Sequence, residues 1–275
     1  MSQISSLLHK FSERRSKGGR AFIPYITAGY PRPEDTVRFY SILEEAGADI
    51  IELGVPFTDP LADGPVIQSA SEVALKNGMT LRKVLGLVEV IRKGSSTPLV
   101  LMTYYNPVFK YGEEAFLRDA VNAGVSGLII PDLPPDESTT LRALAKKAGL
   151  ALIFLAAPTS TEERLRLIAR ASTGFIYYVS ITGITGARLI LDGSQKAVID
   201  RLRSYSDKPV ATGFGVSTPE EAAQVAEFSD GVIVGSAIVK RLTGEFSELR
   251  RYLREMAEAI HQTEGFRLKA EEAKR

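Results

Sequence analysis

The chain contains no cysteine, no tryptophan and only two histidines. Without cysteine there is no disulfide, no thiolate metal site and no thiol nucleophile. The histidines, His9 and His261, fall in terminal helical stretches away from any expected strand end and read as surface residues. A metal would therefore need carboxylates alone, which argues against a transition-metal centre. No apolar run is long enough to span a bilayer, and no charged-then-apolar leader opens the chain. Neither sign of charge dominates: the net charge is +1, with Lys and Arg dispersed, so no nucleic-acid or membrane footprint is visible. There is also no linker, no low-complexity block and no second composition. The expectation is one domain over residues 1–275, and a cytoplasmic location fits the missing cysteine.

What is present is a repeat of short apolar strand, loop and amphipathic helix. Strands are expected at Phe22–Thr27, Asp49–Gly54, Leu99–Tyr104, Gly127–Pro131, Leu150–Leu155, Gly174–Val179, Pro209–Thr212 and Gly231–Val234. Most are continuous apolar runs without alternation, as parallel strands buried on both faces should be. Helical patterns lie between them, with an extra helix before the first strand (Ile4–Lys17) and two helical stretches, Val66–Asn77 and Leu81–Lys93, between the second and third. Such a series predicts an α/β fold, a single (β/α)8 TIM barrel with an extra N-terminal helix and an additional helix after strand 2. The competing architecture is a doubly wound open sheet. Its glycine fingerprint after the first strand is missing here, where the turn reads Thr27-Ala28-Gly29-Tyr30-Pro31.

Residues 52–65, Glu-Leu-Gly-Val-Pro-Phe-Thr-Asp-Pro-Leu-Ala-Asp-Gly-Pro, carry the most chemistry. Glu52 stands at the end of an apolar strand, and Asp63 lies on the proline-stiffened loop that follows. A carboxylate at an apolar strand end is costly unless it is used, and a barrel displays an acid/base pair in this way. Asp59, on the same loop, reads more simply as a helix cap or partner contact.

Three glycine-bearing turns follow late strands: Ser180-Ile181-Thr182-Gly183-Ile184-Thr185-Gly186, Gly213-Phe214-Gly215-Val216-Ser217, and Val234-Gly235-Ser236-Ala237-Ile238. Glycine lets backbone N–H groups approach an anion, and barrels often hold phosphate after strands seven and eight, against a short helix. Gly235-Ser236 would open that helix, with Ser236 as cap and phosphate donor. Aromatic residues stand at two strand ends, in Met102-Thr103-Tyr104-Tyr105-Asn106-Pro107 and Phe175-Ile176-Tyr177-Tyr178. They can wall a flat apolar ligand beside Ile129 of strand four, or simply pack the core. No expected strand closes in lysine, so a Schiff-base aldolase is not indicated.

The motifs E-L-G-V-P-F-T-D-P-L-A-D-G-P, Y-Y-N-P, P-D-L-P, S-x-x-G-I-T-G, G-F-G-V-S and V-G-S-A-I-V stand in this order. Over about residues 20–240 the chain resembles the tryptophan synthase alpha chain. The resemblance implies a lyase that cleaves indole-3-glycerol phosphate to indole and glyceraldehyde 3-phosphate without a cofactor of its own. It implies Glu52 as the proton-transfer group, Asp63 as acceptor of the indole N–H, and Tyr177 beside the indole. It implies phosphate contacts at Gly186, Gly215, Gly235 and Ser236, with Gly213 among them, and a pocket lined by Phe22, Tyr104 and Ile129. Thr185 would bond Asp63 when the loop after strand six closes. The implied partner is a beta chain carrying pyridoxal phosphate, in an alpha2beta2 heterotetramer. It would dock on Pro56-Phe57-Thr58-Asp59-Pro60 and Asn106-Pro107-Val108-Phe109, with Phe57 exposed at the loop tip. Other readings stay open on the sequence: a free-standing lyase, another phosphate-binding barrel isomerase, or a non-catalytic binding subunit.

Overall fold

The computed structural model describes residues 3–179, 193–213 and 215–262. Its strands are β1 (Ala21–Thr27), β2 (Ile51–Gly54), β3 (Leu99–Met102), β4 (Gly127–Ile129), β5 in two segments (Ala151–Ile153 and Leu155–Ala156), β6 (Ile176–Val179), β7 (Val210–Gly213) and β8 (Gly231–Val234). All pair in parallel. The hydrogen-bonded order of the nine segments begins at Ala151–Ile153 and ends at Leu155–Ala156. Only Phe154 separates those two segments, so nine segments are eight strands and the ladder runs all the way round, as in a (β/α)8 barrel.

The strands bury both faces, and the faces do different work. On β1, Ala21, Ile23 and Tyr25 enter an interior cluster with Ile50, Val100, Met102, Ile129 and Tyr177. Phe22 and Ile26 face outward and pack with Ile51, Leu53, Phe39 and Tyr40 beneath the helical ring. This is the two-residue period of an extended strand, hidden in the sequence because both neighbours of the sheet are apolar. Helix starts are locally encoded. Helix Pro219–Ala226 opens with proline in its first turn and a reciprocal Thr218–Glu221 capping box.

The N-terminal helix, Gln3–Ser16, closes the bottom of the barrel. Leu7 and Phe11 insert into the interior cluster, with the Phe11 ring 5.4 Å from Phe175. Burying two such side chains stabilises the plug by about 1.5–3 kcal/mol each. Arg14 and Arg15 then reach Asp49 at 2.6 Å and Asp230 at 2.7 Å. Asp49 is 2 % exposed and also accepts from the Phe22 N–H and from His261 Nε2 at 2.9 Å. A buried carboxylate needs such partners. His261 is thus a half-buried tie between the last helix, Phe246–His261, and the segment leading into β2, which corrects its reading as a surface residue. With the bottom plugged, the interior opens at the C-terminal ends of the strands.

Several local features depart from expectation: the strands expected from Asp49 and Gly174 start two residues later, at Ile51 and Ile176. Residues Tyr105–Tyr111 form a helix, not a loop, and the strands β3 and β4 end two residues earlier than their apolar runs suggest. No helix among the described residues is long and apolar enough to cross a membrane.

Candidate active site

A cavity of about 420 Å³ opens at the C-terminal ends of the strands. Its floor and walls are Tyr25, Glu52, Asp63, Ile67, Met102 and Tyr177, and its far end is Gly215, Val216, Gly235, Ser236 and Ala237. Glu52 lies on β2 in register with Tyr25, so both project into the barrel. It is 1 % exposed, and its Oε2 has no hydrogen-bond partner. Burial, followed by the nearby charge of Asp63, pushes its carboxyl up to about 8.

Asp63 reaches the same cavity from the loop before helix Pro65–Lys76. The loop is pinned where it matters: the Gln68 amide donates to the Asp63 carbonyl oxygen at 2.8 Å, and Tyr104 Oη donates to Asp63 Oδ2 at 3.1 Å. The Ala62 N–H in turn donates to Tyr104 Oη at 3.0 Å. Burial raises the Asp63 carboxyl to about 6, while the Tyr104 hydroxyl opposes that rise by stabilising the anion. Two carboxyl groups in one cavity thus have their proton affinities pushed apart. That is the arrangement in which one acts as acid and the other stays ionised near neutral pH. Among the described residues, no group of three potential metal ligands comes together.

The two tyrosines of the floor remain phenols. Tyr25 and Tyr177 are both raised well above their ordinary value, by burial first and by the Asp63 and Glu52 charges after it. Tyr25 Oη lies 3.2 Å from Thr27 Oγ1. Tyr177 owes its place to Gly213: a Cβ there would fall 2.4 Å from the phenol oxygen. Gly213 therefore seats Tyr177 and does not itself line the cavity. Gly215, with φ +79°, takes a left-handed turn that favours glycine. At Gly235 an added Cβ meets Tyr25 and Ile67 only at ordinary contact, 3.6–3.7 Å. The short helix Ser236–Val239 begins just after it; the N–H groups of Ile238 and Val239 donate to the Gly235 carbonyl oxygen, and those of Ser236 and Ala237 precede the first helical bond.

The structure moves several expected residues. Phe22 belongs to the outer core, and the β1 aromatic in the cavity is Tyr25, three residues on and on the opposite face. Strand alternation anchored on Glu52 is the signal that finds it. Tyr104 stands behind Asp63, and Ile129 packs in the interior beside Met102 in register, neither on the cavity surface. Phe57 is half-buried, stacked on Tyr104 with ring centroids 5.2 Å apart, so it is not the exposed loop tip. The exposed large apolar residues of this face are Leu61 (92 %) and Phe109 (65 %). Asp59 accepts from Thr58 and caps no helix, since the next one starts from Gly64. Thr185 and Gly186 lie outside the described residues. Sequence reasoning also missed the rim residues Ser217, Glu221, Lys240 and Arg241.

The sequence profile of the tryptophan synthase alpha chain family matches residues 11–267. The chain is 48% identical to the tryptophan synthase alpha chain of Picosynechococcus sp. over 94% of its own length and 98% of that protein's. It is 46% identical to the alpha chain of Dehalococcoides mccartyi, covering 94% of this chain and all of the other. Among solved structures, Mycobacterium tuberculosis tryptophan synthase superimposes with a TM-score of 0.88 at 43% identity, covering 93% of this chain and 98% of that one. The tryptophan synthase alpha subunit of Legionella pneumophila gives 0.85 at 38% identity, covering 95% and 99%.

Proposed function

The chain belongs to the tryptophan synthase alpha chain family, and from that premise we propose how its cavity carries the family's reaction. The activity is a lyase step of tryptophan biosynthesis, cleavage of indole-3-glycerol phosphate to indole and glyceraldehyde 3-phosphate. The alpha chain works without a cofactor of its own and pairs with a beta chain that carries pyridoxal phosphate, typically in a heterotetramer. The reading treats the chain as one barrel domain acting in the cytoplasm.

The observation that carries the mechanism is the pair of buried carboxyls, Glu52 raised to about 8 and Asp63 to about 6, in one cavity. Near pH 7 Glu52 holds its proton and Asp63 is mostly ionised. Glu52 delivers its proton to C3 of the indole, giving an electron-poor indolenine. The resulting carboxylate takes the proton of the side-chain hydroxyl as the carbon–carbon bond breaks, so Glu52 ends as it began. Asp63 accepts the ring N–H and stabilises the positive charge that develops there, and Tyr104 holds its carboxylate in place. Tyr177 and Tyr25 flank the ring. Gly215, Gly235 and Ser236 hold the phosphate and so fix the glycerol chain between the carboxylates. Gly213 serves by seating Tyr177; the phosphate role of Gly186 and the Asp63 role of Thr185 rest on the family resemblance, since both lie outside the described residues.

The test is direct. Purified protein mixed with indole-3-glycerol phosphate, without added cofactor, releases indole, and does so faster with the beta chain present. No indole under either condition overturns the reading.

A further inference from the structure

The far end of the cavity has a rim that this mechanism leaves unused. Arg241 follows the short helix Ser236–Val239, and its Nη1 donates to the Ala237 carbonyl oxygen at 2.7 Å. Its guanidinium lies over the ring of Tyr252, 3.9 Å from the centroid. Tyr252 belongs to the last helix, Phe246–His261, and its hydroxyl donates to the carbonyl oxygen of Ser217 at 3.1 Å. Ser217 sits in the turn after β7, and Ala237 in the short helix that opens directly from the turn after β8. One stacked side-chain pair therefore ties the turn after β7 to the start of the segment after β8, at the far end of the cavity.

The rest of the rim fits the same purpose. Glu221 Oε2 accepts from both the N–H and the hydroxyl of Ser217 at 2.8 Å, so its charge is directed onto the turn's own donors. Arg241 and Lys240 line the cavity as well, two cations at the end where an anion is to sit. The ring of Tyr252 is buried in the outer core with Arg241 over it. Its hydroxyl bonds the turn, so removing the hydroxyl alone tests that tie while keeping the ring.

We propose that Arg241 and Tyr252 are positioning residues for the substrate phosphate: together they clamp the turn after β7 against the turn after β8, so that Gly215 and Gly235 face one anion. The proposal rests on the reading that these turns hold the phosphate. The clamp orders donors before substrate arrives, which lowers the cost of binding without touching the carboxylates. It acts on KM and leaves kcat alone.

The experiment uses Tyr252→Phe, which keeps the ring and removes the hydroxyl, Arg241→Gln, and Gly235→Val as a reference. Steady-state kinetics on indole-3-glycerol phosphate are combined with calorimetric affinity for 3-(indol-3-yl)propyl phosphate and for the corresponding alcohol. Tyr252→Phe and Arg241→Gln should each raise KM, and Kd for the phosphorylated ligand, roughly three- to tenfold. The value of kcat and the affinity for the alcohol should not change. Equal weakening of both ligands would make the pair merely structural and overturn the proposal, as would no effect on either. If Gly235→Val weakens the phosphorylated ligand and the clamp variants do not, the clamp fails and the phosphate assignment stands. If Gly235→Val is also without effect, both fall.

Discussion

Glu52 is a buried acid without a hydrogen-bond partner for one oxygen, and that isolation has a measurable consequence. Its ordinary value is 4.5 and its value in the fold is about 8. Between those limits an unfolded chain has lost the proton while the folded chain keeps it. Ionising Glu52 in place opposes folding, so its burden is absent below pH 4.5, grows through that window and is complete above about 8. Asp63 adds the same kind of burden between 3.8 and about 6. Thermal melting of Glu52→Gln against the parent should therefore show a stability difference that moves in the variant's favour as pH rises. At the alkaline end it should be on the order of a few kcal/mol, and a difference flat across pH would contradict the shift. The same two groups set the rate. Cleavage needs Glu52 protonated and Asp63 ionised, so kcat/KM should be bell-shaped, with limbs near about 6 and about 8 that belong to the pair. Asp63→Asn should slow turnover severely and remove the acidic limb; a retained limb would assign that ionisation to another group.

At the scale of strands and helices, the order of the eight βα units is written in the sequence because parallel strands are apolar throughout and helices between them are not. That uniformity also hides which face of a strand looks inward. Phe22 and Tyr25 are both aromatic and both on β1, and only the two-residue period, fixed by the side on which Glu52 lies, puts Tyr25 in the cavity and Phe22 under the helices. Glu52 and Asp63 were legible because a carboxylate beside an apolar run has to be explained. The rim was not, because Ser217, Arg241 and Tyr252 lie far apart in sequence and meet only through the fold. The helix Tyr105–Tyr111 was hidden by Asn106-Pro107, which reads as a turn although proline is well tolerated in a first helical turn. The N-terminal helix carries its own prediction. Phe11→Ala removes the ring that meets Phe175 and should cost about 3–5 kcal/mol in urea denaturation. Substrate KM should stay unchanged, since the plug is at the opposite end from the cavity. A loss below about 1 kcal/mol would mean the plug is not a core element.

For the molecule as a whole, the two ends of the barrel have separate tasks. The helical plug and its ion pairs to the buried carboxylates of Asp49 and Asp230 close one end, and the other exposes a mouth ringed by loops. Two large apolar side chains, Leu61 and Phe109, are exposed on elements after β2 and β3, next to the loop that holds Asp63. Released indole is small and apolar, and a partner seated on that mouth would receive it without loss to solvent. Exposed apolar residues at a catalytic opening suit such docking. Titrating the beta chain should give co-elution and a rise in indole production, and the coupling must be reciprocal in binding. Phe109→Asp and Leu61→Asp should weaken the complex while cleavage by the isolated chain persists. Unchanged complex affinity in both variants would move the interface elsewhere.

The most direct test of the central claim is single-turnover cleavage of indole-3-glycerol phosphate by Glu52→Gln, with substrate affinity measured on the same protein. An amide keeps the shape of Glu52 and cannot cycle a proton. Indole formation should fall by roughly 10²–10⁴-fold while the dissociation constant stays within a few-fold of the parent's. Near-normal indole formation by a folded Glu52→Gln protein would contradict the assignment of both proton transfers to this residue.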